Sequence, residues 1–356
     1  MFIGYPIAAT EGNWLHECLS SMVCSVHESL DLERPVPEWP EIIPVEYRQR
    51  LKSRTRLKEL FSKYQTVVAR LSSKSRGRIQ RCLADQNRIA VLVACGGDCE
   101  SVLDLPKSIR KPIEDLYKFA FGLLTDLGIR DKHYRAIYSA QEHHVCPFCG
   151  CEYFDAPNAP REDLDHYLPR RLYPFAATNL RNLVPMGKRC NESYKGGTDM
   201  LRKPDGTRRR SFDPYAERTI KVTLNDSVPF GGANGRFPEW KIELHPDSTE
   251  CETWDEVFHV RERLERDALT PSFDQWLMQF AKWFVSERGI KDLDDEKIAD
   301  GVRAYADIMQ FMGFEAKVFL KEPVFRMLHC HCDQGNARLL SFMRDLVTKA
   351  VPQPAD

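Results

Sequence analysis

The chain has 356 residues, 42% of them hydrophobic, which suffices for two or three domains with buried cores and argues against global disorder. The formal net charge is −1, so whole-chain charge selects no partner. No apolar run reaches the roughly 18 to 20 residues of a membrane span, and 12 cysteines over this length do not read as a small disulfide-stapled scaffold.

The N-terminus, MFIGYPIAATEGNW, lacks a basic segment followed by a long apolar one, which argues against a signal peptide. Cytoplasmic thiols, some of them on zinc, are expected. Trp14, Leu15, Cys18, Leu19, Met22 and Val23 recur at helical spacing and predict a short amphipathic helix. From Arg48 to Arg88 thirteen lysines and arginines face only Glu59 and Asp85. Leu57, Leu60, Phe61, Tyr64, Val67, Val68 and Leu71 form an apolar stripe through it. The stretch therefore buries one face and shows cations on the other, either as a solvated surface or, favoured by the scarcity of acids, towards phosphates through residues such as Arg50, Arg54 and Lys58.

ACGGDC, from Ala94 to Cys99, reads as an ordinary glycine loop. Residues 106 to 140 predict two helices. Short alternations at Thr219 to Leu224 and Trp240 to Leu244 predict two strands able to pair across a glycine- and proline-punctuated turn. From Trp254 onwards the pattern is helical, and the stripe Phe273, Trp276, Leu277, Phe280, Trp283 and Phe284 reads as core. His329-Cys330-His331-Cys332 reads as a buried helix end with incidental thiols.

The chemistry concentrates between Cys146 and Lys195. Cys146-Pro-Phe-Cys149-Gly has the spacing of a zinc knuckle, although redox pairs share it. Cys190 lies at the far end of the segment, where a zinc ion would hold both ends and supply folding energy that few large apolar residues provide. Three thiols, Cys146, Cys149 and Cys190, are at hand, and a fourth ligand would be Cys151, slightly preferred, His143, His144 or nothing. His166 suits a general base, because imidazole titrates near neutral pH. Asp165 suits a hard divalent cation, with Asn191 as a second oxygen ligand. Asp165 and His166 are adjacent, so the chain must bend for both to serve one site. Asn182 sits in the connecting loop, where its amide can bridge backbone groups. Lys195, four residues beyond Asn191, with Arg170 and Arg189, would meet phosphates.

The order Cys-x-x-Cys, Asp-His, Asn-Leu-Val-Pro, Cys-Asn, Lys resembles the HNH, or ββα-metal, endonuclease family. His166 matches the first motif histidine, Asn182 the middle asparagine, Asn191 the last position and Asp165 the acidic metal ligand. DHYLPRRLYP and NLVPMGKRCNESYKG further resemble bacterial HNH proteins associated with phage defence, some of which work beside an ATPase partner. The resemblance covers roughly residues 143 to 215 and implies a Mg²⁺- or Mn²⁺-dependent phosphodiester hydrolase, DNA favoured as substrate and RNA, including tRNA, left open. A non-catalytic zinc-stabilised nucleic-acid-binding module and an ATPase adaptor with a vestigial site are the alternatives. The expected fold is α+β: a helical domain at 1–140, the nuclease core at 141–215, a short β segment packing on it at 216–250, and a helical domain at 251–356.

Overall fold

The computed structural model describes residues 2–159, 164–217, 219–232, 235–311 and 317–351. The chain is mostly helical with a few short antiparallel strands, compatible with an α+β fold. Strands β1 (Phe2–Ile3), β4 (Thr219–Thr223) and β5 (Glu243–His245) form one sheet in the order β1-β4-β5. β2 (Asp165–His166) and β3 (Leu183–Val184) form a second, with Asp165 opposite Val184 and His166 opposite Leu183.

Two compact units emerge, and their boundaries differ from those expected from the sequence. One joins residues 4–142 to 154–217. The other joins 1–3 and 143–153 to 218–356, so the β4–β5 pair belongs with the C-terminal helices and not to a separate segment. The Cys-x-x-Cys turn likewise groups with that second unit.

The first unit holds α1 (Trp14–Asp31), α2 (Val45–Leu51), α3 (Thr55–Val68), α4 (Ser73–Gln86), α5 (Ile89–Val93), α6 (Lys107–Asp126) and α7 (Ile129–Ala140). The basic stretch is thus three helices, broken after Leu51 and Val68. Ser72 starts α4 by accepting the Ser75 N–H on its hydroxyl. Leu57, Leu60, Phe61, Tyr64 and Val68 are the buried stripe of α3, which packs on α6. Gly128, at φ 68°, turns the chain between α6 and α7, a conformation that glycine adopts without the penalty of a Cβ. Leu164, Phe175, Ala177, Leu180 and Leu183 belong to the same apolar core as these helices. Phe175 packs edge-on against Tyr117 at 5.2 Å.

In the second unit α8 (Thr249–Phe258), α9 (Val260–Leu264), α10 (Thr270–Arg288), α11 (Asp295–Phe311), α12 (Lys321–Asp333) and α13 (Ala337–Lys349) follow the sheet. The aromatic stripe of α10 is core, with Phe280 5.4 Å from Tyr305. Gly301 permits the close approach of α11, since a Cβ there would lie 2.2 Å from the Phe284 ring. The His-Cys-His-Cys run ends α12. Cys332 is buried, and His331 Nε2 lies 2.9 Å from the Ser227 carbonyl. No helix among the described residues is long and apolar enough to cross a membrane.

Candidate functional site

The site begins with the β2–β3 pair. β3 is anchored from outside the motif: the Leu183 carbonyl lies 2.9 Å from His133 Nε2 of α7 and accepts from the Tyr215 hydroxyl. His133 Nδ1 faces the Ala9 carbonyl at 2.9 Å. Burial keeps this imidazole neutral by lowering its pKa, against two carbonyls that raise it.

Asn182 is fully buried and uses every polar atom. Its Oδ1 accepts the Leu168 N–H at 2.7 Å, while Nδ2 donates to the Leu168 carbonyl at 3.1 Å and the Ala176 carbonyl at 3.2 Å. It therefore acts as the backbone bridge expected of it. The loop it holds carries the Ala177 carbonyl, which lies 3.0 Å from His166 Nε2. A carbonyl only accepts, so Nε2 carries the proton and Nδ1 is the basic nitrogen.

His166 rests 4.4 Å from the Phe121 ring of α6. The Arg130 and Arg170 guanidiniums lie 4.8 and 5.6 Å from the same ring. Burial first, then the charge of Arg170, lowers the His166 pKa to about 3. The imidazole is consequently neutral at pH 7, although far more acidic when protonated than the near-neutral base the sequence suggests. Phe121, Arg130, His133 and Tyr215 escaped the sequence reading because no spacing links them to the motif.

Arg189–Lys195 forms a π-helical turn, where a helix was expected at Cys190. Gly196 ends it, at φ 47°, its N–H donating to the Asn191 carbonyl. Asn191 is half-buried, and Lys195, one turn further on, is only 1% exposed. Its ammonium lies 2.7 Å from Asp165 Oδ2 and donates to the His166 carbonyl at 2.8 Å. Lys195 was expected at a phosphate; its stem is buried and its charge faces inward, onto Asp165. Burial raises the Asp165 pKa, and Lys195 opposes that rise. A hard cation at Asp165 would use a carboxylate oxygen with the amide oxygen of Asn191, donors of the right chemistry for Mg²⁺ or Mn²⁺.

The thiols form a second feature. Cys146, Cys149 and Cys190 are all buried and their sulfurs lie within 4.8 Å of one another. Tetrahedral zinc with Zn–S of about 2.3 Å needs sulfurs about 3.8 Å apart, so small side-chain shifts close such a site. The buried cluster can bind a metal such as zinc. Cys151, the preferred fourth ligand, is not in this group. Gly150, at φ 64°, turns the chain so that the Cys151 N–H donates to Cys149 Sγ at 3.4 Å. The turn brings both its amide and its side chain against Cys149, outside the three-sulfur group. Charge compensation comes partly from residues the sequence did not flag. Arg263, 3% exposed, pairs with Glu152 at 3.1 Å; a hydrogen bond with Cys149 and burial push the Cys151 thiol up, and Arg263 and Lys317 oppose that rise.

The remaining cations are more heavily partnered than their own stretch implies. Arg76 pairs with Asp31 at 2.6 Å, Arg78 with Glu100 at 2.7 Å and Arg54 with Asp126 at 3.9 Å, acids supplied by other parts of the chain. Arg50 lies over the Trp14 ring at 5.0 Å. Lys58, Lys63, Arg70, Lys74 and Arg81 are exposed, as is Arg189. In ACGGDC, Cys95 Sγ contacts the Arg209 carbonyl and Asp98 meets Arg202 at 2.6 Å, the bonding of an ordinary loop. No protein-family model, no curated protein and no solved structure matches this chain.

Proposed function

We propose that the chain is a metal-dependent HNH-type endonuclease that hydrolyses phosphodiester bonds, with DNA as the favoured substrate. The observation that carries this reading is the orientation of His166. Its Nε2–H is tied to the Ala177 carbonyl, Nδ1 is left basic, and Asp165 precedes it on a strand registered against β3.

In this reading water approaches His166 Nδ1, which takes its proton as oxygen attacks phosphorus in line. Arg170 meets the phosphate beside His166. The phosphate's negative charge offsets the field of Arg170 and raises the imidazole towards the range useful to a general base. Asp165 and Asn191 would hold the divalent cation, which would supply charge neutralisation at the phosphate and leaving oxygen. Asn182 acts on the reaction only by holding the loop that orients His166. The exposed cations of α3 and α4 extend the contact along the nucleic-acid backbone. A role in antiviral defence beside an ATPase rests on the sequence resemblance alone.

The test is incubation of purified protein with plasmid DNA and with total RNA, with and without Mg²⁺ or Mn²⁺. Metal-dependent cleavage should appear in the wild type and vanish in His166→Ala. Equal cleavage by the two proteins would remove His166 from the chemistry. Cleavage of RNA alone would reassign the substrate.

A further inference from the structure

Lys195 is among the largest fully buried side chains of the protein. A buried ammonium needs compensation, because taking it out of water is costly unless an opposite charge and hydrogen bonds replace the water. Asp165 Oδ2 supplies the charge at 2.7 Å and the His166 carbonyl the hydrogen bond at 2.8 Å. Asp165 Oδ2 is itself shielded from solvent, so the 12% of this side chain that stays exposed lies elsewhere on it. With Oδ2 shielded and held by Lys195, an incoming ion has only Oδ1 left to bind.

We propose that Lys195 is a resident counter-cation of the Asp165 site, holding one carboxylate oxygen so that a divalent metal binds through the other alone and against a standing positive charge. This rests on the proposed metal-dependent reading and adds a role for Lys195 that phosphate contact does not describe. The charge of Lys195 weakens metal binding, since a positive charge beside the carboxylate repels a divalent ion. The resting protein therefore holds its hydrolytic metal loosely.

The test measures Mn²⁺ binding to the zinc-containing protein without nucleic acid, by the electron paramagnetic resonance signal of free Mn²⁺. The variants are Lys195→Met, Lys195→Gln and Asp165→Asn, each checked for folding by circular dichroism. Gln keeps a donor near the His166 carbonyl and loses only the charge. Wild type should bind Mn²⁺ weakly and Asp165→Asn not at all. The two Lys195 variants should bind it at least about tenfold more tightly, as loss of the repulsion requires. Unchanged or weaker binding in folded Lys195 variants, with wild-type binding still lost in Asp165→Asn, overturns the counter-cation role and leaves the metal reading intact. Cleavage with no Mn²⁺ bound at Asp165 in any protein overturns both. In the wild-type chain, the nitrogen resonance of the Lys195 ammonium should move as Mg²⁺ is added. A resonance that stays fixed at Mg²⁺ saturation overturns the proposal independently of any variant.

Discussion

Replacing Asn182 with alanine isolates the hydrogen bonds that hold the loop behind His166. Three bonds disappear, at 2.7, 3.1 and 3.2 Å. The Ala176 carbonyl retains the Asn179 N–H as a donor, so it is not orphaned. The Leu168 N–H and carbonyl lose the Asn182 partner inside a fully buried residue. Leaving a buried polar group unsatisfied costs about 1–3 kcal/mol, so the two groups together predict a loss of about 2–6 kcal/mol. That is a large fraction of the about 5–15 kcal/mol by which domains are stable. Urea unfolding at neutral pH reads the change, and Asn182→Asp separates its parts, because Asp keeps the acceptor for the Leu168 N–H and loses both donors. The loop also presents the Ala177 carbonyl, so the His166 imidazole nitrogens, followed by NMR, should lose their single tautomer in Asn182→Ala. A loss below about 1 kcal/mol with an unchanged tautomer would refute the bridging argument.

Further predictions rest on separate features. The purified protein should hold about one tightly bound zinc per chain by elemental analysis, lost in Cys146→Ser; folded, active protein without zinc would show the thiols to be dispensable. His16 and His27 are buried, and burial lowers each pKa from 6.5 to about 4. Below pH 6.5 the unfolded chain takes up protons that these folded groups refuse, so the stability contributed by their neutral forms is complete above pH 6.5 and lost down to about pH 4. The loss approaches about 1.4 kcal/mol per pH unit for each, and His16→Gln should flatten the acid limb of a urea-midpoint profile. Reversing the charge of Arg50, Arg54 and Lys58 together should flatten the salt dependence of DNA affinity, by about 0.9 log units per log unit of salt for each phosphate no longer neutralised. An unchanged slope would mark that face as solvated only.

Local patterns in the chain were legible where local physics decides. The i, i+3, i+4 stripe of α3 is buried as its spacing predicts, and β4 and β5 pair as expected, although β5 covers only Glu243 and Leu244 of the expected Trp240 to Leu244 segment. The bridging role of Asn182 was also readable, because an asparagine amide in a connecting loop can hydrogen-bond backbone groups on both sides of it. Long-range pairing was not legible. Nothing near Arg76, Arg78 or Arg54 in the chain announces Asp31, Glu100 or Asp126, so the basic stretch looked less compensated than it is. The inward aim of Lys195 depends on where a π-helical turn sets the last residue before Gly196, a geometry that i, i+4 reasoning on an α-helix does not produce. Cys151 likewise follows a positive-φ glycine, whose turn sets it against Cys149 and outside the three-sulfur group.

The same long-range packing changes what a zinc ion at the thiols would have to do. Read alone, residues 146–195 hold too few large apolar side chains to fold, and a metal would have to make up the difference. In the structure Leu164, Phe175, Ala177, Leu180 and Leu183 are buried in one core with α1, α3, α4, α6 and α7. Full burial of a phenylalanine such as Phe175 is worth about 1.5–3 kcal/mol, and the His133 and Tyr215 contacts to the Leu183 carbonyl fix β3 in addition. The strand that carries Asp165 and His166 is thus positioned by helix packing and buried hydrogen bonds. The thiols answer for the local turn at Cys146–Cys149, where the Trp254 indole also donates to the Phe148 carbonyl at 3.2 Å. Metal removal and core mutation should therefore separate: a chelator acts first on the thiol turn, whereas Phe175→Ala, costing about 3–5 kcal/mol, acts on the strand that bears the candidate base.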